Sequence, residues 1–309
     1  MARAKAKAAG RKTVARKPRK KEARFTIKGL LYAFLLIAFF LFSVGVLTYV
    51  VFFRMVVAAE LSTSHAEIVF EEPEKNKRVI ASQYGASLSK NPNPQIAIII
   101  DDMGYHLEVG KKLIEMDVDL SFSFLPHAPF TPQLEKMAYK GGKTVMLHLP
   151  LQPRDDVWDP GPGALLLDEL SNQRETFLQN LAMVNYATGV NNHMGSLYTE
   201  NRYAMMTLLH LVAEKKMFFI DSFTSAESAG FEVAENLGLR AARRDLFLDN
   251  IQEKDEICSN IDQLVVLAKS RGKAIGIAHP HQQTLEAMED CLVSRLAGVP
   301  VVAVEELLH

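Results

Sequence analysis

The chain of 309 residues contains only two cysteines and one tryptophan. Cys258 and Cys291 are far apart and form no C-x-x-C pair, which argues against a cysteine-based structural zinc site. No G-x-S-x-G motif occurs, and neither cysteine ends a strand-like run, so a serine or cysteine hydrolase has little support. An oxidising compartment would permit a disulfide between the two thiols, but the sequence alone does not decide it.

Charge is absent from one long stretch. Residues 29–53 are uncharged, and as a helix rising about 1.5 Å per residue they exceed a hydrocarbon core of about 30 Å. Residues 1–28 carry +11, so the remainder carries −12 against a total of −1. We therefore predict a basic cytoplasmic tail over 1–28 and one transmembrane helix over 29–53. By the positive-inside rule, everything after Arg54 lies in the periplasm or another extracytoplasmic space, and the chain is a single-pass inner (cytoplasmic) membrane protein.

Two other readings of this N-terminal region are open. Val57-Ala58-Ala59 resembles a signal-peptide cleavage site, although the hydrophobic region of a signal peptide is about 7 to 15 residues long, which is shorter than this one. The basic tail also has the composition of a nucleic-acid-binding arm. A membrane topology signal explains it more simply, and we expect no nucleic-acid partner.

The downstream chain divides into a linker and one folded domain. Residues 54–94 are polar and proline-punctuated, which predicts a linker, and the domain is expected over 95–309. Within it, apolar runs alternate with amphipathic helical segments. The predicted strands are 95–100, 120–125, 143–149, 189–194, 217–221, 245–248, 273–279 and 299–304. The predicted helices are 106–116, 131–141, 171–187, 200–215, 255–271 and 282–297.

This alternation predicts an α/β fold with parallel strands covered by helices. A distorted (β/α) barrel of seven or eight strands fits the available length. A doubly wound open sheet is the alternative, weakened because the first βα turn, DDMGYH, lacks the G-x-G-x-x-G of dinucleotide folds.

Polar residues gather at the predicted strand ends, where the loops of a parallel barrel converge. They are Asp101, Asp102, His127, His148, Asn191, Asn192, His193, Asp221, Ser222, Asp249, His279 and His281. Adjacent carboxylates repel each other unless a cation or a proton offsets their charge. Histidine nitrogens and one carboxylate oxygen form a common three-ligand site for zinc or a similar divalent ion, and a second carboxylate can then act as the base.

Five motifs resemble, in order, those of the divergent polysaccharide deacetylase family. They are IAIIIDDMG, TVMLHLPLQP, GVNNHMGS, FFIDS and GIAHPH, and they cover the domain from residue 95 onward. The family is similar to a distant branch of the metal-dependent carbohydrate deacetylases, which use a distorted (β/α) barrel. The resemblance implies that Asp101 is the catalytic base and that Asp102 and His148 bind a divalent metal, for which Zn2+ is the expected ion. It also implies that a late histidine protonates the leaving amine, for which we choose His279 over His281.

The sequence departs from that pattern at two points. Gln152 stands where related enzymes have a second metal-binding histidine, so we propose His193 as the substitute ligand. The Arg-x-Pro motif that accompanies the base in those enzymes is not evident.

The remaining candidates have substrate-binding or supporting roles. Asn191, Asn192, Asp221, Ser222 and His281 are expected to contact sugar or to orient a ligand, although Asp221-Ser222 could simply cap the next helix. Likewise Asp102 could be a helix cap, His148 a core histidine, and His193 a structural residue. His127 is expected to be an ordinary loop residue.

These expectations combine into a membrane-anchored deacetylase that acts on N-acetylated envelope glycan, such as peptidoglycan. The alternatives are an inactive deacetylase-like module that binds glycan, and a structural partner in envelope assembly.

Overall fold

The structure is a computed structural model that describes residues 31–32, 34–49 and 93–308. The chain divides into two units, Met1–His65 and Ala66–His309. In the first unit the described residues are helical, and their large apolar side chains are exposed. Among the described residues, no helix has both the length and the apolarity that crossing a membrane requires. The predicted span 29–53 extends beyond the described residues at both ends, and the basic tail 1–28 and residues 54–92 of the predicted linker lie outside them.

The second unit contains one eight-stranded sheet in which every paired strand is parallel. The strands are β1 Gln95–Met103, β2 Ser121–Phe124, β3 Val145–Leu151, β4 Gly189–Met194, β5 Phe218–Asp221, β6 Ala241–Arg243, β7 Leu246–Phe247 and β8 Lys273–Ala278. Their spatial order is β6-β5-β4-β3-β2-β1-β8-β7. The strands progress around the sheet in one direction, as in a barrel, without the reversal of a doubly wound sheet.

The sheet is an incomplete barrel, open between β6 and β7. β6 pairs with β5 and β7 pairs with β8, yet only Arg244 and Asp245 separate the two short strands. Three residue steps span at most about 11 Å, so the two edges must lie close together. The predicted α/β barrel of parallel strands is confirmed, in the form of this incomplete barrel.

Helices cover the outer face of the sheet. They are Leu107–Glu115, Thr131–Lys140, Gln173–Met183, Arg202–Glu214, Gly230–Asn236, Lys254–Arg271, Gln282–Ala287 and Val293–Arg295, with a π-helical turn Met288–Leu292 and 3-10 helices Leu167–Asn172 and Val304–Leu307. Alternate strand residues such as Ile96, Ile98 and Ile100 pack against these helices in the larger apolar core. A disulfide joins Cys258 to Cys291, which fixes the helix Lys254–Arg271 to the π-helical turn.

The inner face has its own apolar core. Ala97 and Ile99 belong to it, together with Val302 and Leu307 from the chain's last segment. Val304 donates its backbone N–H to Ser121 Oγ at 3.0 Å, which ties that segment to β2. The C-terminal segment therefore fills the barrel interior at the end opposite the carboxyl ends of the strands.

Two strand predictions are corrected here. The run 299–304 is not a strand: it makes one isolated bridge, between Val301 and Ile96, and continues as a 3-10 helix. It is apolar because it is buried in the barrel, which gives the same sequence pattern as a buried strand. The eighth strand is instead β6, whose three residues AAR carry no strand-like pattern. The helix Gly230–Asn236 was also not predicted.

Candidate active site

The candidate site continues the inner face of the barrel. Side chains alternate between faces along a strand, so Asp101 follows Ala97 and Ile99, and His148 follows Met146. The same two-residue period places Asn191 on β4 and His279 after Ile277 of β8. The apolar interior thus gives way to a polar layer at the carboxyl ends of the strands.

Asp102 breaks this alternation through its backbone. Its φ is +51°, in the left-handed region that non-glycine residues rarely adopt, and the β1–β2 register shifts between Ile100 and Met103. A regular strand would direct Asp102 to the helix side. The local distortion instead brings both carboxylates of the Asp-Asp pair to the site, at a conformational cost of about 1–3 kcal/mol.

Asp102, His148 and His193 form one compact cluster. Asp102 Oδ1 lies 3.0 Å from His148 Nε2 and 2.8 Å from His193 Nδ1, and the two ring nitrogens are 3.2 Å apart. A tetrahedral site with bonds of about 2.1 Å places its ligand atoms about 3.4 Å apart, which is close to these separations. The structure therefore brings together the three residues predicted as metal ligands.

The protonation pattern of the cluster fits a cation. Asn191 Nδ2 donates to Asp101, so Asn191 Oδ1 is an acceptor, and His148 Nδ1 at 2.8 Å from it must carry the proton. A neutral His148 then presents the lone pair of Nε2 to Asp102 Oδ1, which is itself an acceptor. Among the described residues, no donor meets Asp102 Oδ1 in hydrogen-bonding geometry. A metal ion or a proton between these atoms would remove the repulsion.

The electrostatics of the three buried groups agree with that requirement. Burial lowers the pKa of His148, but the carboxylates of Asp101 and Asp102 outweigh burial and raise it to about 9. Burial also opposes ionisation of Asp102, yet His193 and His148 hold its pKa well below the usual range. The site thus favours a positive charge beside Asp102.

Asp101 lies next to the cluster without belonging to it. Asn191 Nδ2 is 2.8 and 2.9 Å from its two carboxylate oxygens, and His148 Nδ1 is 3.8 Å from Oδ2. Burial raises the pKa of Asp101, only partly opposed by His148 and His279. A carboxylate with a raised pKa is suited to accepting a proton.

His279 is paired with a buried carboxylate on the neighbouring β7 side. Its Nδ1 lies 3.0 Å from Asp249 Oδ1, and its backbone N–H donates to Asp249 Oδ2. Burial lowers the pKa of His279, but Asp249 outweighs burial and raises it. The ring of His281 faces Gln252, and burial lowers its pKa to about 4. Of the two candidates, His279 is therefore the one equipped to hold a proton.

The other predicted residues divide into two groups. Asn192 and Ser222 lie beside the site: Asn192 Oδ1 accepts from the backbone N–H of Ser222, and Asn191 Nδ2 is 3.2 Å from Ser222 Oγ. Asp221 faces the helix side, where it accepts from the backbone N–H of Phe223 and Phe231 and from Ser228 Oγ. Its capping role, which the sequence left open, is the one that the structure shows.

Gln152 does not join the cluster. Its Oε1 accepts from the backbone N–H of Leu167 at 2.8 Å. His193, on the adjacent strand, is the third member of the cluster. A residue from a different strand therefore lies beside Asp102 and His148 in place of Gln152.

Sequence reasoning missed three supporting residues. Ser123 Oγ donates to Asn191 Oδ1, Asp249 holds His279, and Phe247 packs its ring 5.8 Å from that of His279. The sequence places Asp249 at a strand end but assigns it no role. Ser123 could have been found because it occupies the inner-face position of β2.

Two adjoining cavities meet at the cluster. The inner one, of about 310 Å3, is lined by Asp101, His148 and His279 among others. The outer one is a cleft of about 660 Å3 that includes Tyr105, His127 and the segment 159–162. Both contain Asp102, His193 and Met194 in their walls, so the cluster stands between them.

Comparisons with known proteins agree with the motifs. The sequence model of the divergent polysaccharide deacetylases matches residues 98–308. The protein YibQ of Escherichia coli K12 is 28% identical over 217 residues, which are 70% of this chain and 67% of YibQ. An uncharacterized protein of Haemophilus influenzae is 32% identical over 197 residues, 63% of this chain and 70% of that protein.

A solved structure shows the same fold. The crystal structure of an uncharacterized protein from Agrobacterium tumefaciens C58 aligns with a TM-score of 0.66 at 23% identity. The alignment covers 71% of this chain and 91% of that protein.

Proposed function

Because the chain belongs to the divergent polysaccharide deacetylase family, we propose that it is a metal-dependent deacetylase of N-acetylated glycan. The observation that carries this proposal is the mutual approach of Asp102, His148 and His193 within 3.2 Å, with Asp101 and His279 in the wall of the same cavity. A three-ligand cluster, a base and an acid around one cavity are the parts that metal-assisted amide hydrolysis needs.

The ligand set would be Asp102, His148 and His193, and zinc is the ion we expect there. When bound, such an ion supplies Lewis-acid polarisation of the acetyl carbonyl and lowers the pKa of water. Asp101 then accepts the proton of the attacking water, because its carboxylate is buried and its pKa is raised. Asn191 keeps both the base and the His148 ring in place.

His279 completes the reaction as the general acid. Its ring is fixed through Nδ1 by Asp249, so the opposite nitrogen, Nε2, is the one that can pass a proton to the departing amine. The bond that breaks is the amide C–N bond, water supplies the new C–O bond, and the products are acetate and a free amino sugar. Asp101 then releases the proton it received to solvent, and His279 takes up a proton from solvent, so both residues return to their starting states.

We also propose that the protein is a single-pass membrane protein with its N-terminus in the cytoplasm. In support, residues 29–53 are uncharged and follow a tail of charge +11. The hydroxyls of Ser43 and Thr48 donate to carbonyls of their own helix, which suits an apolar surrounding. The Cys258–Cys291 disulfide favours an oxidising, extracytoplasmic location for the domain. Envelope glycan of the peptidoglycan type would then be the substrate within reach.

A non-catalytic module is the second candidate. Gln152 replaces a metal-binding histidine, and a neutral amide from Asn191, in place of an arginine, contacts Asp101. A domain altered in this way could retain glycan without hydrolysing it. Its prediction is glycan binding with no release of acetate.

The test uses the full-length protein in detergent with oligomers of N-acetylglucosamine. We expect about one divalent ion per chain and release of acetate, and Asp101→Asn should abolish that release while the ion stays bound. Asp156→Asn, an exposed change outside both cavities, is the control and should behave as the unmodified protein does. Normal deacetylation by Asp101→Asn would refute the assignment of the base, and glycan binding without acetate release would establish the second candidate.

A further inference from the structure

The outer cleft borders the candidate metal site and is separate from the cavity of the base and acid. It shares Asp102 and His193 with the cluster, and its space of about 660 Å3 includes volume that is open to solvent. A glycan whose N-acetyl group lies at the cluster would extend into it.

The walls of the cleft suit a sugar ring. Pro126, Pro150, Pro160 and Pro162 contribute rigid hydrocarbon surfaces, and Tyr105 contributes an aromatic ring with a polar end. Such surfaces bind the apolar face of a pyranose without a large loss of side-chain entropy on binding.

Hydrogen bonds within the protein hold the wall of the cleft that residues 159–162 form. Asn180 Nδ2 donates to the carbonyl of Gly163 at 2.7 Å, and Asn180 Oδ1 is 3.1 Å from His127 Nε2. Gly163 has a φ of +79°, and a Cβ there would lie 2.3 Å from Asn180 Oδ1. This network joins the segment after β3 to the loop after β2, so the cleft is preformed.

The cleft carries negative charge. Among the described residues that line it there is no lysine or arginine, and the carboxylates are Asp102 and Asp159. A divalent ion would be balanced by Asp101 and Asp102, which leaves Asp159 as the charge that faces a neighbouring sugar. Burial, followed by the carboxylates of Asp102 and Asp159, raises the pKa of Tyr105, consistent with Asp159 facing into the cleft.

We infer that the outer cleft binds the sugar unit next to the reacting one, and that Asp159 makes it prefer a neutral or amine-bearing unit over a carboxylate-bearing one. The inference rests on the proposed deacetylase function and specifies its substrate class. It implies that a partly deacetylated glycan, which carries free ammonium groups, remains a good substrate.

The experiment compares three sets of oligomers: N-acetylglucosamine alone, the same chain with one free amine next to the reacting unit, and the same chain with a carboxylate at that place. At low salt we expect kcat/KM for the carboxylate-bearing chain to be about three- to tenfold below that for the others. Asp159→Asn retains the oxygen that accepts the backbone N–H of Gly161, so the turn should survive while the preference disappears. Asp159→Lys should reverse the preference, and Asp156→Asn, from the same loop, should leave it unchanged.

Equal rates on all three chains, or an unchanged preference in Asp159→Asn, would overturn the inference while leaving the deacetylase function intact. If none of the chains releases acetate, the proposed function fails, and equilibrium binding of the same oligomers then tests the cleft separately. In that case a binding preference lost in Asp159→Asn supports the charge assignment, and equal affinities reject it.

Discussion

His148 and His279 lie in one cavity, yet different groups hold the two rings. His148 Nδ1 faces a neutral amide oxygen of Asn191, whereas His279 Nδ1 faces the carboxylate of Asp249. The neutral partner keeps a proton on Nδ1 of His148, so a cation that displaces the Nε2 proton meets a lone pair there. An anionic partner stabilises the protonated ring, as required of an acid. The comparison shows how one layer of a barrel can give the same residue type two chemical roles.

The largest effect should come from removing Asp102, the carboxylate proposed to bind the ion together with His148. We expect Asp102→Ala to weaken binding of a divalent ion by about 1,000-fold or more, because one of three protein donors is lost. Competition with a fluorescent chelator measures this affinity. Asp101→Asn is the matched control, since it alters the neighbouring carboxylate and should retain the ion. Equal affinities in the two variants would show that Asp102 is not a ligand.

The next largest effect should come from changing Asp249, the carboxylate that holds His279. Asp249→Asn keeps the size of the side chain but removes the charge that stabilises a protonated His279, so kcat should fall by about 100- to 1,000-fold. Binding of the ion should stay within about twofold, because Asp249 contacts none of the three ligands in the described hydrogen bonds. A parallel loss of ion affinity in Asp249→Asn would mean that Asp249 also supports the metal cluster.

Removal of the neutral partner should have a smaller effect. Asn191→Ala releases the tautomer of His148, and the affinity for a divalent ion should fall by about 10- to 100-fold. Nitrogen NMR of the metal-free protein at a pH above the His148 pKa of about 9 provides a second measurement. The neutral His148 ring should carry its proton on Nδ1 in the unmodified protein and lose that preference in the variant. Ser123→Ala, which removes only the hydroxyl that donates to Asn191, should change the affinity less.

The smallest effect is a shift in pH dependence. Asp249 raises the pKa of His279, and the acid must be protonated to act, so activity should fall as the pH rises through that raised value. In Asp249→Asn the residual activity should therefore fall at a lower pH. His281→Gln should not move this limb, because His281 has a pKa of about 4 and is already neutral there. If the pH at which activity falls shifts in His281→Gln, His281 and not His279 is the general acid.

The sequence predicted much of the site because strands have a two-residue period. Asp101, His148 and His279 occupy positions that continue the apolar inner face, so their convergence follows from the strand pattern and the barrel geometry. Asp102 could not be placed in this way, since its position depends on a left-handed backbone that its residue type does not signal. The motif resemblance identified it instead.

The errors in the fold have equally local causes. Residues 299–304 are apolar because they fill the barrel, and burial alone does not distinguish a strand from a plug. β6 is three residues long, too short for any periodicity to show. The contacts of Asn191 with His148 and of Asp249 with His279 join consecutive strands, β3 with β4 and β7 with β8. A barrel predicts that these strands are neighbours, but the strand pattern does not say which of their side chains meet.

The proposed activity depends most on a single ion held by Asp102, His148 and His193. Its most direct test is the metal content of the purified full-length protein and of three single variants, measured by mass spectrometry after dialysis against a divalent ion. We predict about one ion per chain in the unmodified protein and in Asp101→Asn, and almost none in Asp102→Ala or His193→Ala. An ion content that is the same in all four proteins, or absent from all four, would contradict it.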